Sequence, residues 1–192
     1  MVRDWDKCAT EWEKDTGVAL YTELAFAELQ QLIDIKRKRF FDFGCGTGLL
    51  SQKLSPLAKD IVALDKSEAM IEELDKKYLE NVEPVVDHLS RGLVAQHPAF
   101  RGQFDCVVAC AVCGYLDNFQ EAAVIVHSLL EEEGLFVHWD YLAEDGKEGG
   151  LSQQLVDKVL RGAGFENVAV SVPFEIETEE GPRSVLMGIG EK

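Results

Sequence analysis

A chain of 192 residues, 46% hydrophobic and 28% charged, has the length and balance of one globular domain that can bury a full core. Nineteen Lys and Arg against 35 Asp and Glu leave a formal charge of −16, a field that repels nucleic-acid phosphates and anionic lipid surfaces. No run approaches the ~18 apolar residues of a membrane span, and the start MVRDWDKCATEWEKD has no apolar export core. The expectation is therefore a cytoplasmic protein with no nucleic-acid and no membrane partner, a monomer or weak homodimer.

In chain order, residues 19–33 read as a helix, with Leu20, Leu24, Ala25, Ala27 and Leu32 near helical spacing. The basic run Lys36-Arg37-Lys38-Arg39 reads as a solvated helix end, where cations complement the helix dipole. Arg39–Phe43 is a buried strand that runs into the glycines Gly44, Gly46 and Gly48, followed by a helix over 49–57. Asp60–Asp65 is a second strand. Ser67 is the expected N-cap of a helix that reaches Lys77, with Glu68 in its first turn. Val82–Val86 is a third strand, and the near-continuous apolar run 104–113 a fourth, covered on both faces. A helix over 119–132 stops at Gly134; a fifth strand follows over 135–141, then a helix over 151–163 that ends at Gly164. Two β runs, 168–178 and 184–189, close the chain as a hairpin around Glu179-Glu180-Gly181-Pro182.

Alternating β and α units call for an α/β fold: a three-layer, doubly wound and mostly parallel seven-stranded sheet with a C-terminal antiparallel hairpin. Residues 1–192 are expected to be a single domain, with 1–35 a helical cover and 36–192 the core. Five cysteines, Cys8, Cys45, Cys106, Cys110 and Cys113, form an odd number that suits reduced thiols. No second C-x-x-C accompanies the last three, so they read as small packing residues and no metal is expected.

In open sheets of this class, ligands bind beyond the carboxyl ends of the strands, where strand order reverses. The first strand exits as Asp42-Phe43-Gly44-Cys45-Gly46-Thr47-Gly48-Leu49. A dinucleotide turn, G-x-G-x-x-G, wants glycine where Leu49 stands. Here the glycines fall at alternate positions directly after an acid.

That stretch resembles the first motif of class I, Rossmann-like methyltransferases of the small-molecule type, which use S-adenosylmethionine (SAM) and release S-adenosylhomocysteine (SAH). The ordered set around it extends the resemblance across the chain. The segment from Trp5 to Trp12 is similar to the N-terminal cover of the cofactor. Asp65, 21 residues after Gly44, matches the acid on the ribose hydroxyls, and Asp87 matches the acid near the adenine amino group. Ala163-Gly164-Phe165 and the last hairpin resemble the end of that fold. The resemblance implies a cofactor site made of Trp12, Asp42, Gly44, Cys45, Gly46, Asp65, Lys66, Met70, Asp87, His88, Ala109 and Cys110. In it Asp42 attracts the ammonium group or braces the glycine turn, and Met70 flanks the adenine with the apolar run before Asp65.

Methyl transfer is an in-line displacement in which alignment does most of the work, and a base is needed only where the acceptor must lose a proton. His88, Tyr115, Asp140 and Tyr141 are the candidates near strand ends. His138 alternates with Val137 and Trp139 and is expected to face a covering helix; His97, His127 and Arg183 read as structural or surface residues. Cys113-Gly114-Tyr115-Leu116 lacks the Asn/Asp-Pro-Pro-aromatic signature of enzymes that methylate planar nitrogens in DNA bases and glutamine amides. The short interval 142–150 leaves little room for an inserted lid, which favours a small acceptor. The expected function is SAM-dependent methyl transfer to a small molecule. A SAM-binding regulatory protein without catalysis and an NAD(P)-binding oxidoreductase are the alternatives.

Overall fold

The computed structural model describes residues 4–144, 149–178 and 181–192. Its elements in chain order are α1 (Trp5–Trp12), α2 (Thr16–Leu32), β1 (Arg39–Phe43), α3 (Leu49–Leu54), β2 (Asp60–Asp65), α4 (Glu68–Asp75), β3 (Val82–Val86), α5 (Arg91–Gln96), β4 (Phe104–Cys110), α6 (Phe119–Leu129), β5 (Leu130–Leu142), β6 (Gly150–Leu151), α7 (Gln153–Ala163), β7 (Glu166–Thr178) and β8 (Gly181–Glu191). No helix among the described residues is long and apolar enough to cross a membrane.

The strands form one sheet in the order β3-β2-β1-β4-β5-β8-β7, with the two-residue β6 paired to β5. β1 to β5 are parallel, whereas β8 runs antiparallel to both β5 and β7. This is the α/β sheet with a terminal antiparallel hairpin that the alternating pattern predicts; β6 is the added strand. Within the interval 142–150, residues 145–148 lie outside the described residues, as do Glu179 and Glu180 of the hairpin turn.

Period-two alternation distributes the apolar residues of the central strands between two cores. Phe40, Cys106, Val108, Val137 and Trp139 pack with Tyr21, Ala25 and Leu29 of α2. Phe41, Phe43, Val107, Ala109 and Phe136 pack on the other face with Ala123, Val126 and Leu160 of α6 and α7. Burial on both faces is why these strands read as continuous apolar runs rather than alternating ones. Caps set the helix boundaries: the Ser67, Ser90, Asn118 and Ser152 side chains accept the backbone N–H bonds of Met70, Leu93, Glu121 and Leu155. α7 ends at Gly164, whose φ of 101° is left-handed.

Two boundaries and one added helix differ from expectation with a clear physical cause, and most other elements shift by a few residues at their ends. β4 stops at Cys110 rather than continuing to residue 113, because Ala111 adopts φ 55° and turns the chain while its N–H bonds to Trp139 O. The helix expected over 119–132 ends at Leu129, and β5 starts at once. There the C-terminal backbone captures the chain, with Glu133 N–H donating to Lys192 O and Lys192 N–H to Gly134 O. α5 was not anticipated; at six residues it is too short to show a period.

Candidate functional site

β2 and β3 lie on one side of β1 and β4 on the other, so strand order reverses at β1, where the crevice of such a sheet opens. A cavity of about 590 Å³ occupies that position. It is walled by the turn after β1, the ends of β2 and β3, the turn after β4, and helices α1 and α2.

Gly44 and Gly46 both hold positive φ, 69° and 54°. A methyl group added at Gly44 would lie 2.4 Å from Val112 Cγ2, so the turn after β4 packs directly against that glycine. Gly46 differs: its nearest neighbours would be Met70 Sδ and Trp12 Nε1, both at 3.9 Å. Of these two glycines, Gly46 is the one that leaves its backbone open to the cavity, flanked by a thioether and an indole.

Asp65 closes β2 and holds this turn in place. Its Oδ2 accepts the Gly46 N–H and its Oδ1 the Ser67 N–H, each at 2.9 Å. Burial pushes its carboxyl above the ordinary carboxylate range, against the two N–H donors that lower it. Each oxygen keeps a further lone pair for a ligand hydroxyl. Asp42 is 1% exposed and accepts the Ser51 hydroxyl at 2.6 Å. Burial, and then the nearby Asp65, push its carboxyl up to about 6. Asp87 is more open and bonds the His88 N–H at 2.7 Å. The Cys45 and Cys110 thiols are held well above the usual range by burial and then by Asp42, so both stay protonated.

α1 lies across the mouth of the cavity. Asp6 and Ser67 share a hydrogen bond, and Glu13 pairs with Lys77 at 2.6 Å, which fixes α1 on α4. Trp5 sets its ring edge-on to Trp12 at 5.7 Å and to Tyr115 at 5.5 Å, bridging to the turn after β4.

Trp12, Asp42, Gly44, Cys45, Gly46, Asp65, Lys66, Met70, Asp87, His88 and Cys110 all line the cavity, as do Tyr115 and Tyr141. Ala109 and Asp140 do not. Both are fully buried, and each alternates along its strand with a residue that does reach the cavity, Cys110 and Tyr141. Asp140 instead serves the structure: Oδ1 accepts the Gly114 N–H at 2.9 Å and Oδ2 pairs with His138 Nδ1 at 2.7 Å. Asp140 is therefore withdrawn as a candidate base on position alone. His138 packs against Phe119 of α6, the covering helix expected for it. With Cys113 these two residues make a buried group of three metal-ligating side chains, whose hydrogen bonds are made among themselves and to the turn. Arg183 is buried rather than on the surface, its guanidinium 4.0 Å from the centre of the Tyr141 ring. Sequence reasoning missed Val18, Tyr21 and Thr22 in the wall, and placed Trp5 only within the covering segment. The signal was present in α2, where Val18, Tyr21, Thr22, Ala25 and Leu29 repeat at three- and four-residue steps.

A family model described as a methyltransferase domain matches residues 41–136. A Schizosaccharomyces pombe chain named as an uncharacterized methyltransferase is 29% identical over 155 residues, 67% of this chain and 54% of that one. The chain thus spans about half the length of the curated relative it matches. A chain from a complex with the Haloferax volcanii Trm112 methyltransferase activator superposes with a TM-score of 0.76 at 16% identity, over 100% of this chain and 99% of that one. Synechocystis magnesium protoporphyrin IX methyltransferase with bound SAM superposes with a TM-score of 0.67 at 19% identity, over 90% and 79% of the two chains. At such identities the structural likeness is one of fold.

Proposed function

Because the chain belongs to the methyltransferase-domain family, we propose that it transfers a methyl group from SAM to a small molecule bound in the cavity beneath α1. The observation that carries this reading is the geometry around Gly46: an open backbone between Trp12 and Met70, on a turn held by Asp65. The residues present fit the cofactor. Asp42 is a buried carboxylate on the cavity wall whose bonded partner is a neutral hydroxyl, and an ammonium group beside it would compensate its burial. Asp65 has lone pairs for the ribose diol, and Asp87 and His88 stand at the end of β3 for the adenine edge. Lys66, Cys45 and Cys110 complete this wall.

SAM supplies an activated, sulfonium-bound methyl group. The chain's own part is to orient the two reactants and to exclude water. α1 and its two tryptophans cover the mouth, and the turn after β4 holds Tyr115 opposite. Alignment of this kind converts a bimolecular displacement into an effectively unimolecular one.

Isothermal titration with SAM and with SAH tests the reading, followed by detection of SAH formed on turnover. Micromolar binding of both, with SAH at least as tight, is the expected result. A folded protein that binds neither overturns the assignment.

A further inference from the structure

The glycine turn after β1 is clasped at two places. Asp65 holds its middle through the Gly46 N–H at 2.9 Å. A different bond joins its two ends. Ser51, the third residue of α3, donates its hydroxyl across 2.6 Å to Oδ2 of Asp42, the last residue but one of β1. Both partners are buried, Ser51 at 0% and Asp42 at 1% exposure. Packing does not call for this hydroxyl. Leu50 and Leu54 of the same helix supply its core contacts, and alanine is a better helix former that needs no partner. What the hydroxyl serves is a carboxylate that stands in the cavity wall.

The titratable groups that face Asp42 come from three other places. Asp65 at the end of β2 adds a like charge. Cys45 of the turn and Cys110 of β4 add thiols that burial, and then Asp42 itself, keep protonated. Burial and Asp65 push the Asp42 carboxyl up to about 6. The two influences that favour its ionised form both come from Ser51, the hydroxyl first and the backbone N–H second. Without the hydroxyl, the carboxyl would hold its proton more tightly, and a protonated Asp42 cannot neutralise an ammonium group.

Resting on the methyl-transfer reading, we propose that Ser51 is a positioning residue for the amino-acid end of the cofactor: its hydroxyl fixes the Asp42 carboxylate beside the glycine turn and leaves the remaining lone pairs to the ammonium group. Ser51 is not among the residues that line the cavity, so it acts through Asp42. In the same reading the adenosine end is met by Asp65 and Asp87, from β2 and β3. Ser51 therefore bears on one half of the cofactor. A hydroxyl that only braced the glycine turn would bear on both halves, because Gly46 lies within that turn.

The experiment uses the full chain and two probes, SAH and 5′-methylthioadenosine, which keeps the adenosine and the thioether but lacks the amino-acid part. Each is titrated calorimetrically at pH 7.5 into the parent protein and into Ser51→Ala. The expected result is SAH binding at least about tenfold weaker in the variant, with 5′-methylthioadenosine within about twofold of the parent. The fall in SAH affinity on acidification should also begin at higher pH in the variant, by about one unit or more. Equal SAH affinity in the two proteins, or equal losses for the two probes, overturns the proposal. Should Ser51→Ala fail to fold, the comparison is made in the Asp42→Asn background, where adding Ser51→Ala should change SAH affinity by less than about twofold. A further tenfold loss there overturns the proposal, because Ser51 would then act other than through the carboxylate. A parent protein that binds neither probe overturns the methyl-transfer reading instead, so the two failures are distinct.

Discussion

Asp65 Oδ2 accepts the backbone N–H of Gly46 across 2.9 Å, tying the end of β2 to the glycine turn that follows β1. One carboxylate therefore shapes the turn and also faces the cavity. Replacing Asp65 with Ala should weaken SAM binding by about 2–3 kcal/mol through the lost charge-assisted bonds. It should also lower stability by about 1–2 kcal/mol, because the Gly46 and Ser67 N–H groups lose their partner. Calorimetry and a denaturant melt read the two effects; SAM affinity equal to the parent's would remove Asp65 from the cofactor site.

Asp42, with its carboxyl raised to about 6 from 3.8, makes SAM binding depend on pH. An ammonium group pairs with the ionised form, so affinity should be flat above pH ~6 and fall about tenfold per unit below it. In Asp42→Asn this dependence should vanish and the affinity be lower throughout. The stability linkage has the opposite direction. A carboxyl that binds its proton more tightly folded than unfolded favours folding at low pH, and that contribution is lost as pH rises from 3.8 through about 6. Near neutrality the unliganded Asp42→Asn protein should therefore be more stable by on the order of 2–3 kcal/mol, less any weakening of the Ser51 bond. A lower midpoint in urea would contradict this.

Gly44→Ala and Gly46→Ala should separate packing from binding. At Gly44 the new methyl would meet Val112 at 2.4 Å and strain a φ of 69°, a loss of about 2–4 kcal/mol in stability. At Gly46 the nearest atoms are 3.9 Å away, so the left-handed backbone alone costs about 1–2 kcal/mol. The folded Gly46→Ala protein should nevertheless bind SAM at least about tenfold more weakly. Equal affinity would show that the ligand does not approach that backbone.

Asp140→Ala should cost at least about 3 kcal/mol in denaturant unfolding, because His138 and the Gly114 N–H are left buried without their partner. Asp140→Asn keeps an acceptor for the Gly114 N–H and should recover part of that loss.

Much of this architecture is legible in the residues. β1 and β2 stand where their apolar runs and the glycine turn place them, because buried parallel strands leave little freedom in their ends, and the mostly exposed edge strand β3 spans the residues expected for it. The chain is harder to read where long-range contacts decide. Leu130 to Glu133 look like a helix end in isolation, yet the last residues of the chain draw them into the sheet. Asp140 and Tyr141 are adjacent candidates, but a strand can present only one of two neighbours to a cavity, and only the fold says which. Tyr21 lacks any motif; its place in the wall depends on α2 lying against the ends of β5 and β7, where it meets Tyr141 and Phe174.

The position of α1 makes the molecule its own optical gauge. The chain has three tryptophans. Trp5 and Trp12 ride on α1 and line the cavity, whereas Trp139 is sealed in the core at 0% exposure. Emission from Trp139 should stay constant as ligands come and go, while the two indoles of α1 report the changing polarity around them. A single spectrum would then separate loading of the cavity, read in the α1 pair, from loss of the core, read in all three.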